Sequence, residues 1–426
     1  MSRMRFGIFM VPIHPVGVNP TVLLDSDMEL IEHLDRLGFE EAWIGEHHSA
    51  GSAIIGSPEI FIAAAAERTR RIKLGTGVVT ASYHNPLWVA ERAVQLDHMT
   101  KGRFMLGLGA GSLATDAAML GIDMSRSRDL LSDAVDIITR LMRSDEPVSF
   151  ENDRWTLRNA RLHLRPYTDP HPEIAIAAAV SPAGPRLAGR YGHGLLSIGA
   201  TMASGFDVLA QHWNVMEERA AHYGVKVDRN AWRLVGLAHI AETKEQAYKD
   251  VEHGILDWFE YFQSTVAFPM PFGDAATVRQ CIEFVNQSGL GVIGTPDDAI
   301  AQIKRLKNQS NGGFGAYLQM AHDWAAPAAK LRSYELFARH VAPHFQGQHR
   351  ATMDSKERAK AGRPEFARDN LKAIEQSAAK YKAELDAKSR SQAHRTGGES
   401  RSEPNIPVPR GHRGRSLAAA GSHRRG

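Results

Sequence analysis

The side chains best suited to chemistry stand together at Glu46-His47-His48. Histidine titrates near neutral pH and suits proton transfer, and a neighbouring carboxylate can orient an imidazole ring or stabilise its charged form. Catalytic, structural and metal-binding roles all remain open for these residue types. Metal is the weakest fit: adjacent residues at a strand end point in opposite directions, and the spacing is not the helical His-Glu-x-x-His pattern. Gly107-Leu-Gly-Ala-Gly-Ser112 lets the backbone turn sharply or pass close to something flat, such as a planar cofactor. It follows a fourth strand, so it lacks the context of a dinucleotide fingerprint. Ser181-Pro-Ala-Gly184 opens a helix directly after a strand. Ser181 can cap that helix, and free N–H groups at a helix start can hold phosphate.

Short apolar runs alternate with helical patterns, and this rhythm places those residues. Strands are expected at Arg5 to Val11, Glu41 to Gly45, Lys73 to Thr80, Phe104 to Leu108, Glu173 to Val180, Gly194 to Ile198, Trp232 to Ala241 and Phe314 to Met320. The runs are apolar without alternation, as strands buried on both faces should be. Helices are expected between them, among them Thr21 to Leu37 with Gly38 as its stop, Pro58 to Arg68 with Ser57 as N-cap, and Phe206 to His222. Val148 to Pro166 interrupts the rhythm as a small β insertion. Eight such units over some 340 residues favour a (β/α)₈ TIM-type α/β barrel over an open sheet. In such a barrel the active site lies at the C-terminal ends of the strands, where Glu46-His47-His48, Thr80, Gly109-Ala110 and Ser181 all fall.

Composition sets the limits. Of 426 residues, 43% are hydrophobic and 23% charged, an ordinary globular balance. The net charge of +3 is uneven: residues 391–426 hold seven arginines against Glu399 and Glu403, which leaves about −2 on the rest. A near-neutral body argues against nucleic acid as the main partner. No run of eighteen apolar residues offers a membrane span. A single cysteine, Cys281, suits a reducing cytoplasm. The expected organisation is a barrel domain over 1–345, a peripheral helical arm over 346–390 and a disordered basic tail over 391–426.

Taken together, the strand ends resemble the bacterial luciferase-like, flavin-dependent monooxygenases. The matching stretches are Glu40-Glu-Ala-Trp-Ile-Gly-Glu-His-His48, Leu74-Gly-Thr-Gly-Val-Val79, Leu96 to Phe104, Ser181 to Gly189, Gly294 to Ile300 and His322-Asp-Trp324. Ile62 to Thr69 and His340 to Phe345 extend the match, which runs from about Arg5 to Phe345.

The resemblance implies that His47 is catalytic, with Glu46 beside it. It places Gly77, Val78 and Thr80 against the flavin, with a non-proline cis peptide expected at Gly77-Val78. Gly109 and Ala110 become cofactor contacts, and Ser181, Pro182 and Gly184 the phosphate seat. No metal is expected. Two departures stand out. Ala110 replaces an arginine that luciferases place near the phosphate, with Arg186 as a candidate substitute. Asn85-Pro86 replaces a His-Pro, with His84 one place earlier.

The implied activity is a two-component monooxygenase. Reduced FMN would come from a separate flavin reductase, and O2 would give one oxygen atom to a small apolar organic substrate. Leu113, Met119, Phe268 and Phe272 are candidate pocket residues. A homodimer or higher homo-oligomer is expected. Hydride transfer with the deazaflavin F420, or flavin binding without catalysis, are the alternatives on the same fold.

Overall fold

The computed structural model describes residues 3–202, 208–266 and 272–396. The chain divides into two compact units, Met1–His349 and Arg350–Gly426. Within the first, eight strands form the barrel: β1 Arg5–Met10, β2 Glu41–Ile44, β3 Lys73–Thr76, β4 Phe104–Gly109, β5 Glu173–Ala178, β6 Gly194–Ile198, β7 Trp232–Ile240 and β8 Ala316–Met320. All pair in parallel. β1 joins both β2 and β8, and β7 joins both β6 and β8, so the sheet closes on itself. Every residue of β2, β4 and β7 is buried, which explains their uninterrupted apolar character.

Side chains fill the barrel. Phe9, Trp43, Met105, Leu196, Val235 and Leu318 form one interior cluster. Beneath them lies an ion network. Arg233 Nε donates to Glu41 at 2.9 Å and its Nη2 to Glu173 at 2.9 Å, while Arg5 Nε donates to Glu41 at 2.6 Å. Burial alone would raise the Glu41 carboxyl, but Arg233 and Arg5 outweigh it and hold it at about 2. A charged pair inside a barrel persists only because each partner is matched.

Several elements differ from those expected. The third strand breaks: Gly77-Val78 is a cis peptide, and Val79–Thr80 then pairs separately with Leu108 and Gly109. A further strand, Gly291–Gly294, pairs with the last four residues of β7 and was not foreseen, because four residues between two helices carry little periodicity. Ser57 stands at the N-cap of Pro58–Arg68 but makes no cap bond, since its hydroxyl donates to Glu59 instead. The β insertion is a hairpin of Val148–Glu151 and Thr156–Ala160. The expected start of a helix at Phe206 lies outside the described residues; that helix is described over Leu209–Tyr223.

The second unit contains one helix, Arg350–Thr396, exposed along almost its whole length. It continues through residues 391–396, which were expected to be disordered. It runs through Pro364. No helix among the described residues is long and apolar enough to cross a membrane.

Candidate functional site

A cavity of about 630 Å³ opens where the strands end at their C-terminal edge. Glu46, His47, Gly77, Val78, Thr80, Gly109, Ala110, Ser181 and Gly184 all line it. Pro182 does not; it is exposed beside the cavity.

Glu46 follows β2 and is only 5% exposed. Its Oε1 lies 2.9 Å from His48 Nε2 and 2.5 Å from His84 Nε2, and its Oε2 accepts from the Thr80 N–H at 2.6 Å. Both imidazoles must donate, because an ionised carboxylate only accepts. Burial would lower the His84 pKa, yet the Glu46 carboxylate raises it. Glu46 therefore knots the ends of the second and third strands together. His84 is part of that knot.

His47 turns the other way. Its Nδ1 lies 3.3 Å from Asp116 Oδ2, and its Nε2 has no partner among the described residues. Asp116 opens the short helix Ala114–Met119 after β4 and is 2% exposed. Its other oxygen accepts from the His48 N–H at 3.1 Å and from the Ser49 hydroxyl. Burial would raise this carboxyl, but the bonds from His47, Ser49 and His48 outweigh it and hold it below the usual carboxylate range. An ionised Asp116 fixes the proton on His47 Nδ1, which leaves Nε2 free to exchange a proton with whatever the cavity holds.

Two glycines of the Gly107 to Gly111 run lie close against neighbouring protein atoms. A Cβ on Gly107 would lie 2.0 Å from the Thr76 carbonyl oxygen, and one on Gly109 would lie 2.5 Å from Val78 Cγ2. The Thr76 hydroxyl and the Gly107 backbone exchange two 2.8 Å hydrogen bonds. These two glycines admit the neighbouring strand, and Gly109 also lines the cavity. Gly111 has φ +88° and would crowd the Tyr83 hydroxyl. That hydroxyl is buried with no partner among the described residues, and burial together with Asp116 and Glu46 pushes it up to about 12.

The opposite wall suits an anion. Ser181 Oγ accepts from the Ala183 N–H at 3.2 Å just ahead of the helix Ala183–Tyr191, but the N-cap is Pro182, not the expected Ser181. The Gly184 N–H, one residue into the helix, has no partner among the described residues. Arg128, near the start of the helix Ser127–Arg143, lines the cavity and carries no ion pair among the described residues. Arg186, the expected cation, is exposed and does not line the cavity.

Leu113 and Phe272 line the apolar part, joined by Trp258, Tyr261 and Phe262. Met119 is 67% exposed and faces away, and Phe268 lies outside the described residues. Asp116, Arg128 and Tyr261 went unrecognised in the sequence. An acidic residue in the first turn after the glycine run was the available signal for Asp116; the other two carried none.

The sequence matches the family model described as luciferase-like monooxygenase over residues 4–380. It is 48% identical to limonene 1,2-monooxygenase of Rhodococcus erythropolis over 346 residues, covering 81% of this chain and 88% of that protein. It is 44% identical to 4-hydroxyprotoasukamycin monooxygenase of Streptomyces nodosus subsp. asukaensis, covering 82% and 94%. The oxygenating constituent of 3,6-diketocamphane monooxygenase from Pseudomonas putida, solved in complex with FMN, superposes with a TM-score of 0.67 at 26% identity, covering 80% and 98%.

Proposed function

Since this chain belongs to the luciferase-like monooxygenase family, we propose that it is the oxygenase component of a two-component system. It receives reduced FMN from a separate flavin reductase and uses O2 to place one oxygen atom in a small, apolar, neutral organic substrate. One observation carries this reading: a single cavity joins an anion seat, a proton-handling His47–Asp116 pair and an apolar chamber.

The donor set fits FMN. Arg128, Ser181 and the Gly184 N–H would hold its phosphate, combining a cation with a helix N-terminus. Val78 and Gly109 would border its ring. The flavin, when bound in reduced form, supplies the electrons by which one oxygen atom enters the substrate and the other leaves as water. The protein's own part is proton control and shelter. His47 Nε2 holds or delivers the proton at the reacting oxygen, a role worth roughly 10²–10⁴ in rate. Asp116 keeps His47 in the required tautomer. Glu46 acts as a strut for the wall from which His47 projects. Apolar side chains exclude water from the reacting groups.

The test is anaerobic titration with reduced FMN, then admission of isotopically labelled O2 with a panel of apolar substrates. Bound reduced FMN and a product carrying the label are expected. Failure to bind reduced FMN, together with tight binding of F420, would refute the oxygenase reading in favour of hydride transfer.

A further inference from the structure

One polar group in the apolar part of the cavity has no part in the steps above. Tyr261 begins the π-helical turn Tyr261–Thr265, which prolongs the helix Ile255–Glu260. Such turns often mark functional sites. Its ring packs with Leu113 and Val266, and it meets Phe262 edge to face with centroids 5.4 Å apart. The residue is only 8% exposed, yet its hydroxyl has no hydrogen-bond partner among the described residues. Unlike the Tyr83 hydroxyl, it is not sealed from its surroundings. A hydroxyl left dry and unpaired is costly. One that faces a cavity is satisfied by what enters it.

The neighbours narrow what that is. Trp258, Phe262 and Phe272 provide aromatic walls, and the Thr201 hydroxyl is committed to the Leu290 carbonyl. Burial and the Asp116 charge push the Tyr261 phenol up to about 12, so it remains a donor at neutral pH. The ionised Asp116 also disfavours an anionic ligand nearby.

We propose that Tyr261 is the polar anchor of the substrate chamber: it donates a hydrogen bond to a neutral oxygen (carbonyl, ether or hydroxyl) on an otherwise apolar ring. It thereby determines which carbon is presented towards His47. This specificity role rests on the oxygenase reading of the cavity given above.

Calorimetric titration of the full chain without flavin tests it, because binding is then read independently of turnover. The probes are menthone and p-menthane, which share a skeleton and differ by the ketone. Wild type should bind menthone more tightly. Tyr261→Phe should weaken menthone roughly five- to tenfold and leave p-menthane unchanged. Unchanged p-menthane affinity also reports that the variant is folded. Equal menthone affinity in variant and wild type overturns the proposal, as does an equal loss for both ligands, which would mean that the ring only packs. If wild type binds neither probe, the apolar chamber of the proposed function falls, and the anchor with it.

Discussion

Arg128 is where the anion seat is most open to test. It is exposed at the cavity wall and has no ion pair among the described residues, so its removal strands no buried charge. The expected effect is therefore confined to the ligand. A sheltered charge-assisted hydrogen bond contributes about 1.5–3 kcal/mol, whereas an exposed ion pair contributes about 0–1. A guanidinium at the rim belongs between these limits, near 1.4 kcal/mol, or about tenfold in Kd. Arg128→Ala should thus raise the Kd for reduced FMN roughly tenfold. It should leave reduced riboflavin, which lacks the phosphate, unaffected. Anaerobic titration of both flavins, at low and high salt, gives the comparison. Added salt should shrink the wild-type preference for FMN and hardly alter the variant. If Arg128→Ala weakens FMN and riboflavin by the same factor, or neither, Arg128 does not meet the phosphate and the seat is misassigned.

Three further outcomes follow from the geometry. His47→Ala should lower turnover roughly 10²–10⁴-fold while flavin affinity is retained, and Asp116→Asn should lower it in the same direction; product formation and flavin titration on the same samples check this. Arg233→Met should destabilise the barrel by roughly 3–5 kcal/mol, seen as a lower urea midpoint, because it leaves Glu41 and Glu173 short of their partner. His14 lies 2.6 Å from Asp323 and 3.1 Å from Asp27. Burial would lower its pKa, but the two carboxylates raise it from 6.5 to about 9. A raised histidine stabilises the fold fully below its unfolded value and loses that contribution as pH climbs through the folded one. Unfolding free energy should therefore fall by at most about 3 kcal/mol between pH 6.5 and 9, and His14→Gln should flatten that slope.

The sequence was legible where a residue's burial follows from its type. The eight barrel strands are continuous apolar runs and were placed within a few residues. The strand ends followed, and with them the wall that holds Glu46 and His47. What was not legible depends on distant pairing. Asp116 lies 69 positions from His47; its place in the first turn of a short helix marks an acidic residue there but not its partner. Arg128 looks like any surface cation until the helix Ser127–Arg143 brings it to the cavity. The Gly107 to Gly111 run was read towards a ligand, and Thr76 and Val78 occupy the space that two of its glycines leave open. A glycine records that something comes close; it does not record what.

The turn at Glu46-His47-His48 separates two tasks that its composition alone does not distinguish. Glu46 spends its acceptor capacity on His48, His84 and the Thr80 N–H. A carboxylate with donors on both oxygens is a good strut. His48, committed to the same oxygen as His84, is held likewise. Of the two imidazoles only that of His47 lines the cavity; its Nε2 has no partner among the described residues, and its Nδ1 rests on a carboxylate that hydrogen bonds keep ionised. Mobility would be costly here, because a proton donor must meet a reacting atom within hydrogen-bond reach. The knot around Glu46 supplies that rigidity from one side and Asp116 from the other. On the proposed reading the proton falls to His47, because Glu46 is engaged in holding the wall and the His48 ring does not line the cavity.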